Sequence, residues 1–301
     1  MIPSLTAIHF LITYRCSAEC DHCFIWGSPR RQASMTVQQA EAFLDQVASL
    51  KTVSAVCAEG GEPFTRYDVL LHFVRSATER GLKPSALTNA SWATSLEEAQ
   101  RRAEELLDAG LVRLGVSTDE WHRKAVPIER VNLLLEVSEA AGLPASRMET
   151  CIDGVMFRGR AAERLAPRML TQPAETFRAC LREHLSAPSR VHLDCYGRLH
   201  LCQGLCIGAA GPAEAIRDYD PAGHPIVRLL LDGGPYALAQ FAAEHGFKVR
   251  NGYVDACHLC YRAREFMRSH FPNFLAPDEM YGDRPACLAP ADGQETFRGA
   301  D

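Results

Sequence analysis

Residues 7–23 read AIHFLITYRCSAECDHC, a β-branched and apolar run followed at once by three cysteines spaced C-x3-C-x2-C. The run, AIHFLIT, has the composition of a strand. The thiols fall on the loop that leaves its carboxyl end. Three is an odd count for a disulfide framework or a four-ligand zinc site, so the fold turns on whether further strands line up beside this one.

The chain continues as alternating strands and helices. Thr36 to Leu50 carries apolar residues at 37, 40, 43, 44, 47 and 50, which is helical spacing, and Thr36 stands where an N-cap belongs. SAVCA (54–58) predicts a second strand, and a helix from about Tyr67 to Arg80 stops at Gly81. SALT (85–88) is a third strand, and Ser95-Leu-Glu-Glu98 opens a helix as a capping box that runs to Asp108. LVRLGVS (111–117), a helix from about Pro127 to Ala141, and RMETCI (147–152) extend the pattern, with VMF (155–157) or a segment near 190 as the sixth strand. Strands separated by such helices make right-handed βαβ units and a parallel sheet. An open doubly wound layer and a partial or complete barrel both fit this periodicity, and both put functional groups at the carboxyl ends of strands.

Composition sets the outer bounds. The 301 residues are 47% hydrophobic and 23% charged, ordinary for a globular chain with a full core. The formal net charge of −5 gives no electrostatic case for nucleic acid or an anionic membrane. No run reaches the roughly 18–20 apolar residues of a membrane-spanning helix, and the N-terminus lacks a basic region and a small-residue cleavage site. A cytoplasmic location is expected, where clustered cysteines serve metal or redox chemistry more often than disulfides.

After about residue 167 the pattern changes. RVHLDCYGRLHLC (190–202) reads as a β-hairpin around Tyr196-Gly197, and 225–270 reads as helix with breaks at Gly233-Gly234 and near Gly252. The expected division is 1–170 and 171–301.

Three thiolates can fold around an iron–sulfur cube and leave one of its four irons open to another ligand. His22 lies between Cys20 and Cys23 and is badly placed to close a zinc tetrahedron with both. AEGGEPF (58–64), at the end of the second strand, has Gly60 and Gly61 for close backbone approach, with Glu62 beside them and Pro63 fixing the exit.

Together these motifs resemble the radical S-adenosylmethionine (radical SAM) superfamily, over the first 165 residues. The resemblance implies a partial (β/α)6 TIM-like barrel. It implies a [4Fe–4S] cluster on Cys16, Cys20 and Cys23, whose open iron chelates SAM. One electron then cleaves SAM to a 5′-deoxyadenosyl radical that abstracts a substrate hydrogen. By the same resemblance Gly60, Gly61 and Glu62 contact the SAM amino group, and Asn89, Ser117 and Asp119 stand where ribose or carboxylate is held. FRGRA (157–161) matches the segment passing the adenine. Asn89 could instead make an Asx turn, and Ser117 to Asp119 could cap the next helix.

Cys180, Cys202 in the hairpin, and Cys257-x2-Cys260 opening a helix resemble the auxiliary-cluster fold of SPASM and twitch proteins. They imply a second [4Fe–4S] cluster in a small C-terminal domain. Cys195, Cys206 and Cys287 are alternative ligands, and a zinc ribbon from Cys202, Cys206, Cys257 and Cys260 is the competing reading. Cys57 and Cys151, inside expected strands, read as core. Trp121-His122, Arg158/Arg160, Trp26 and Arg30-Arg31 either face substrate or SAM or, more commonly for such residues, are solvated. The implied activity is net oxidation or crosslinking of a peptide or small molecule, with a flavodoxin- or ferredoxin-type electron donor. The competing class is a zinc- or cluster-stabilised binding or scaffold protein without SAM chemistry.

Overall fold

The computed structural model describes residues 2–208 and 211–282; Cys287 lies outside them. Five parallel strands, β1 (Ala7–Thr13), β2 (Ala55–Gly60), β3 (Lys83–Thr88), β4 (Arg113–Ser117) and β5 (Ala145–Met148), alternate with helices. The main helices are α1 (Val37–Ala48), α2 (Tyr67–Glu79), α3 (Leu96–Asp108) and, after the short α4 (Glu120–Arg123), α5 (Ile128–Ala141). Thr36 caps α1 in a full capping box with Gln39, and the Ser95 side chain accepts from Glu98 N at the start of α3. These caps satisfy backbone donors that a helix leaves unpaired at its first turn.

A sixth strand, β6 (Arg190–Leu193), pairs parallel with β1, so the order runs β5-β4-β3-β2-β1-β6. That is the cyclic order of a barrel opened between β5 and β6. The fold is therefore α/β with a partial barrel, as the resemblance implied. β6 turns at Tyr196-Gly197 into β7 (Leu199–Cys202), which pairs with the two-residue β8 (Leu205–Cys206), and both pairings are antiparallel. The sixth barrel strand is thus also the first strand of the hairpin. Helices α6 (Arg160–Arg164), α7 (Pro212–Asp218), α8 (Pro225–Glu244) and α9 (Ala256–Met267) complete the fold, with α8 broken at Gly233-Gly234 as its sequence indicates. Phe10 of β1 packs on Phe73 of α2 at 4.8 Å between ring centroids, on the outer face of the sheet. The opposite, lumen face carries Glu59, Ser117 and His192 together with Leu87 and Met148, all bordering one cavity.

Two expectations are corrected. β5 spans Ala145–Met148, not 147–152, and residues 155–157 form no strand. Cys151 is therefore not a core residue: it is exposed, at the start of a short 3-10 turn, Ile152–Gly154. Among the described residues no helix is long and apolar enough to cross a membrane.

Candidate active site and metal centres

Cys16, Cys20 and Cys23 lie at one end of a cavity of about 400 Å3. The loop that carries them is held from several sides. Cys16 N donates to Ser28 O at 3.0 Å, and Cys23 N to Cys20 O at 3.1 Å. Backbone N–H groups of Ala18 and Gly27 donate to the sulfurs of Cys16 and Cys23, at 3.4 and 3.3 Å, and Asn89 Nδ2 stands 3.6 Å from Cys16 Sγ. Donors aimed at sulfur suit thiolate ligands, whose charge they offset.

The glycines of the second motif serve the cysteine loop. A Cβ on Gly61 would lie 2.1 Å from Arg15 O, so only glycine lets the exit of β2 pass against residues 13–15. Gly61 N donates to Thr13 O at 2.7 Å and Glu62 N to Arg15 O at 2.8 Å. Both Gly60 and Gly61 line the cavity.

The Glu62 side chain turns away from it. Its carboxylate is fully enclosed and accepts from Phe64 N (3.2 Å), Thr88 Oγ1 (2.9 Å) and Asn89 N (2.7 Å). Glu62 thus fixes the loop after β3 relative to the cysteine loop. Burial pushes its pKa up to about 7, outweighing the three hydrogen bonds. A carboxyl raised in the folded state is more easily ionised in the unfolded one, so it erodes stability as pH rises from about 4.5 to about 7 and adds no further loss above. The stability advantage of the wild type over Glu62→Gln is expected to shrink by about 3 kcal/mol across that window. Denaturant unfolding at pH 4.5, 6 and 7.5 checks it.

Asn89 makes the Asx turn its sequence position allowed and also borders the cavity. Oδ1 accepts from Ser91 N at 2.9 Å, an Asx turn, while Nδ2 reaches Ser17 Oγ at 3.1 Å and faces the cysteines. Asp119 likewise caps α4 through Trp121 N and His122 N and still borders the cavity, as does Ser117 at the end of β4. His122 Nδ1 lies 2.9 Å from both Asp119 oxygens. Burial lowers its pKa, but Asp119 and Cys20 together outweigh that and hold it at about 10. His22 stacks on Trp121 at 4.6 Å, and burial lowers its pKa to about 4.

Arg158 and Arg160 are both buried, contrary to the solvated outcome common for arginine pairs. Arg160 donates from NH1 to Cys20 O (2.9 Å), from NH2 to Gly27 O (2.7 Å) and from its backbone N to Cys23 O (2.8 Å). Between them Gly159 sits at φ +59°, where a Cβ would meet Cys23 O at 2.6 Å. Arg158 points the other way, and its NH1 lies 2.7 Å from Cys202 Sγ. Trp26 is half-buried, donating to Tyr261 Oη at 3.1 Å, whereas Arg30 is exposed and pairs with Glu19.

Cys202, at the end of β7, faces Cys180, Cys257 and Cys260 closely enough for each to perturb another's ionisation. The buried guanidinium of Arg264 adds a second positive group, 3.8 Å from Cys202 Sγ. Cys206 and Cys195 are elsewhere. Cys206 donates to Ala276 O at 3.2 Å and borders His200, and Cys195 is buried beside Asp194. The convergence of Arg158, Gly159 and Arg160 on two cysteine sets has no local spacing rule, and it escapes sequence reasoning for that reason.

Residues 10–152, just under half of the chain, match the family model of the Radical SAM superfamily. Among curated relatives the chain is 26% identical over 124 residues to a Bacillus subtilis (strain 168) protein named for peptide biosynthesis, YydG. That match covers 41% of this chain and 39% of YydG. It is 31% identical over 96 residues to the S-adenosylmethionine-dependent nucleotide dehydratase of Psychrobacter lutiphocae (strain DSM 21542 / CCUG 56590 / IMMIB L-1110), covering 28% of this chain and 32% of that one. The chain thus spans well under half the length of either relative. Among solved structures, BtrN in complex with AdoMet and 2-DOIA shares the fold at a TM-score of 0.51 and 14% identity, over 76% of this chain and 88% of BtrN.

Proposed function

We propose that this protein reductively cleaves SAM to a 5′-deoxyadenosyl radical and takes a hydrogen atom from a peptide or small molecule, for net oxidation or crosslinking. The observation that carries this reading is a single cavity bordered by the three cysteines, by the ends of β2, β3 and β4, and by Arg158, which itself touches Cys202. Cys16, Cys20 and Cys23 would hold a [4Fe–4S] cluster. When bound, that cluster supplies the electron for SAM cleavage from an iron that no cysteine occupies. The backbone at Gly60, Gly61 and Glu62, with Asn89, Ser117 and Asp119, would orient SAM. His122 stays protonated at neutral pH beside Asp119 and balances its charge.

Cys180, Cys202, Cys257 and Cys260 would hold a second [4Fe–4S] cluster, and two buried arginines suit its negative charge. Among the described residues no three cysteine sulfurs lie within 4.8 Å of one another, whereas tetrahedral zinc draws sulfurs to about 3.8 Å. That spacing favours a cluster over the zinc ribbon. The relatives' names mention a peptide and a nucleotide, in keeping with both substrate classes. A flavodoxin- or ferredoxin-type donor would deliver the electron, and the C-terminal unit would begin near 171.

Anaerobic reconstitution tests the reading. The protein is expected to be brown, to bind about eight irons and to release 5′-deoxyadenosine from SAM with a reductant. Cys257→Ala should retain roughly half the iron and still cleave SAM while losing product formation. Colourless protein with bound zinc and no SAM cleavage would overturn it.

A further inference from the structure

Three lumen-facing residues on adjacent strands form a group outside the cysteine sets: His9 on β1, Glu59 on β2 and His192 on β6. Their ligand-capable atoms all lie within 4.8 Å of one another. Glu59 Oε2 is 3.2 Å from His9 Nδ1, and Oε1 is 3.0 Å from His192 Nε2. The first contact is a hydrogen bond, but Oε1 has no hydrogen-bond partner. On its other flank, His192 Nε2 is 3.4 Å from Gln203 Nε2.

A ring nitrogen is either a donor or an acceptor. With the Gln203 amide turned this way, His192 Nε2 cannot give a proton to the carboxylate and accept one from the amide together. Gln203 Oε1 and His192 Nδ1 are also buried without partners. Each unsatisfied buried group costs about 1–3 kcal/mol.

We propose that His9, Glu59, His192 and Gln203 bind one divalent transition-metal ion, distinct from both cysteine sets. All four residues can serve a cation: His192 Nε2 and His9 Nδ1 offer lone pairs, the Glu59 carboxylate offers charge, and a half-turn of the Gln203 amide presents Oε1 in place of Nε2. Ligands held at about 2.1 Å stand roughly 3.0 Å apart in octahedral and 3.4 Å apart in tetrahedral geometry, a range that includes the 3.2 and 3.0 Å contacts of Glu59 with His9 and His192. Two imidazoles and a carboxylate form a donor set suited to zinc and to divalent iron or manganese. Three of the four donors rest on paired strands, which fixes their spacing. Because Glu59, His192 and Gln203 border the cavity, the ion would sit where a substrate oxygen or nitrogen can reach it.

The test loads the anaerobically reconstituted protein with zinc by equilibrium dialysis, with metal analysis and zinc-edge X-ray absorption as readouts. About one zinc per chain is expected, with only nitrogen and oxygen neighbours at about 2.0–2.2 Å. His192→Ala and Glu59→Gln should each lower zinc affinity at least tenfold, and Gln203→Leu about tenfold. Circular dichroism reports folding, and Gln203→Leu keeps the test decisive if the strand variants misfold. Absence of bound zinc, sulfur neighbours at about 2.3 Å, or zinc binding unchanged in folded variants would each overturn the site. Iron content and SAM cleavage are read separately, so failure here leaves the radical SAM reading standing.

Discussion

Cys16→Ala is expected to lower 5′-deoxyadenosine formation by more than about a hundredfold, since changes to groups that merely orient a metal ligand already cost ~10–100-fold. Cys16 is nearly buried, receives Ala18 N–H and faces the Asn89 amide, contacts that hold its sulfur in place. His22 does not substitute for it, because its ring is committed to Trp121 and lies 3.6 Å from Asp119. The check is anaerobic SAM cleavage alongside iron content, which should fall toward the roughly four irons of the second cluster. Cleavage at wild-type rate would remove Cys16 from the site.

Gly61→Ala should be among the most destabilising single substitutions in the barrel. The added methyl would stand 2.1 Å from Arg15 O and 2.6 Å from Arg15 C, which are backbone atoms of the cysteine loop and cannot rotate aside. Overpacking costs about 1–3 kcal/mol where side chains can adjust; here about 3 kcal/mol or more is expected, a drop on the order of 6–10 °C in melting temperature. Iron retention should fall with it, because relief of the clash displaces the loop that carries the ligands. Gly154→Ala is the matched control. Its nearest neighbour is Thr150 Cγ2 at 3.7 Å, so a change within about 0.5 kcal/mol is expected.

The parts legible in the sequence are those with a local physical cause. Thr36 and Ser95 announce helices because a cap works within one turn, and the cysteine spacing is visible because one loop carries all three ligands. β5 is hard to place because Ala145–Met148 is an edge strand with half-exposed and exposed residues and no apolar run. The richer segment 147–152 looks more like a strand, and it draws Cys151 into the expected core. Glu62 sits in a motif that suggests a side chain facing the cofactor, while that side chain is a brace between two loops. The pairing of β6 with β1 and the meeting of His9, Glu59 and His192 depend on residues some 50 to 180 positions apart, for which no spacing exists.

The tripeptide Arg158-Gly159-Arg160 ties the two cysteine sets to one stretch of chain. One arginine touches Cys202, the other grips the carbonyls of Cys20 and Gly27, and the glycine between them is wedged under Cys23 and Phe24. Three residues of chain extend at most about 11 Å. One short crosspiece therefore contacts both cysteine sets. Lengthening that crosspiece by one residue would draw one arginine away from the cysteine set it touches.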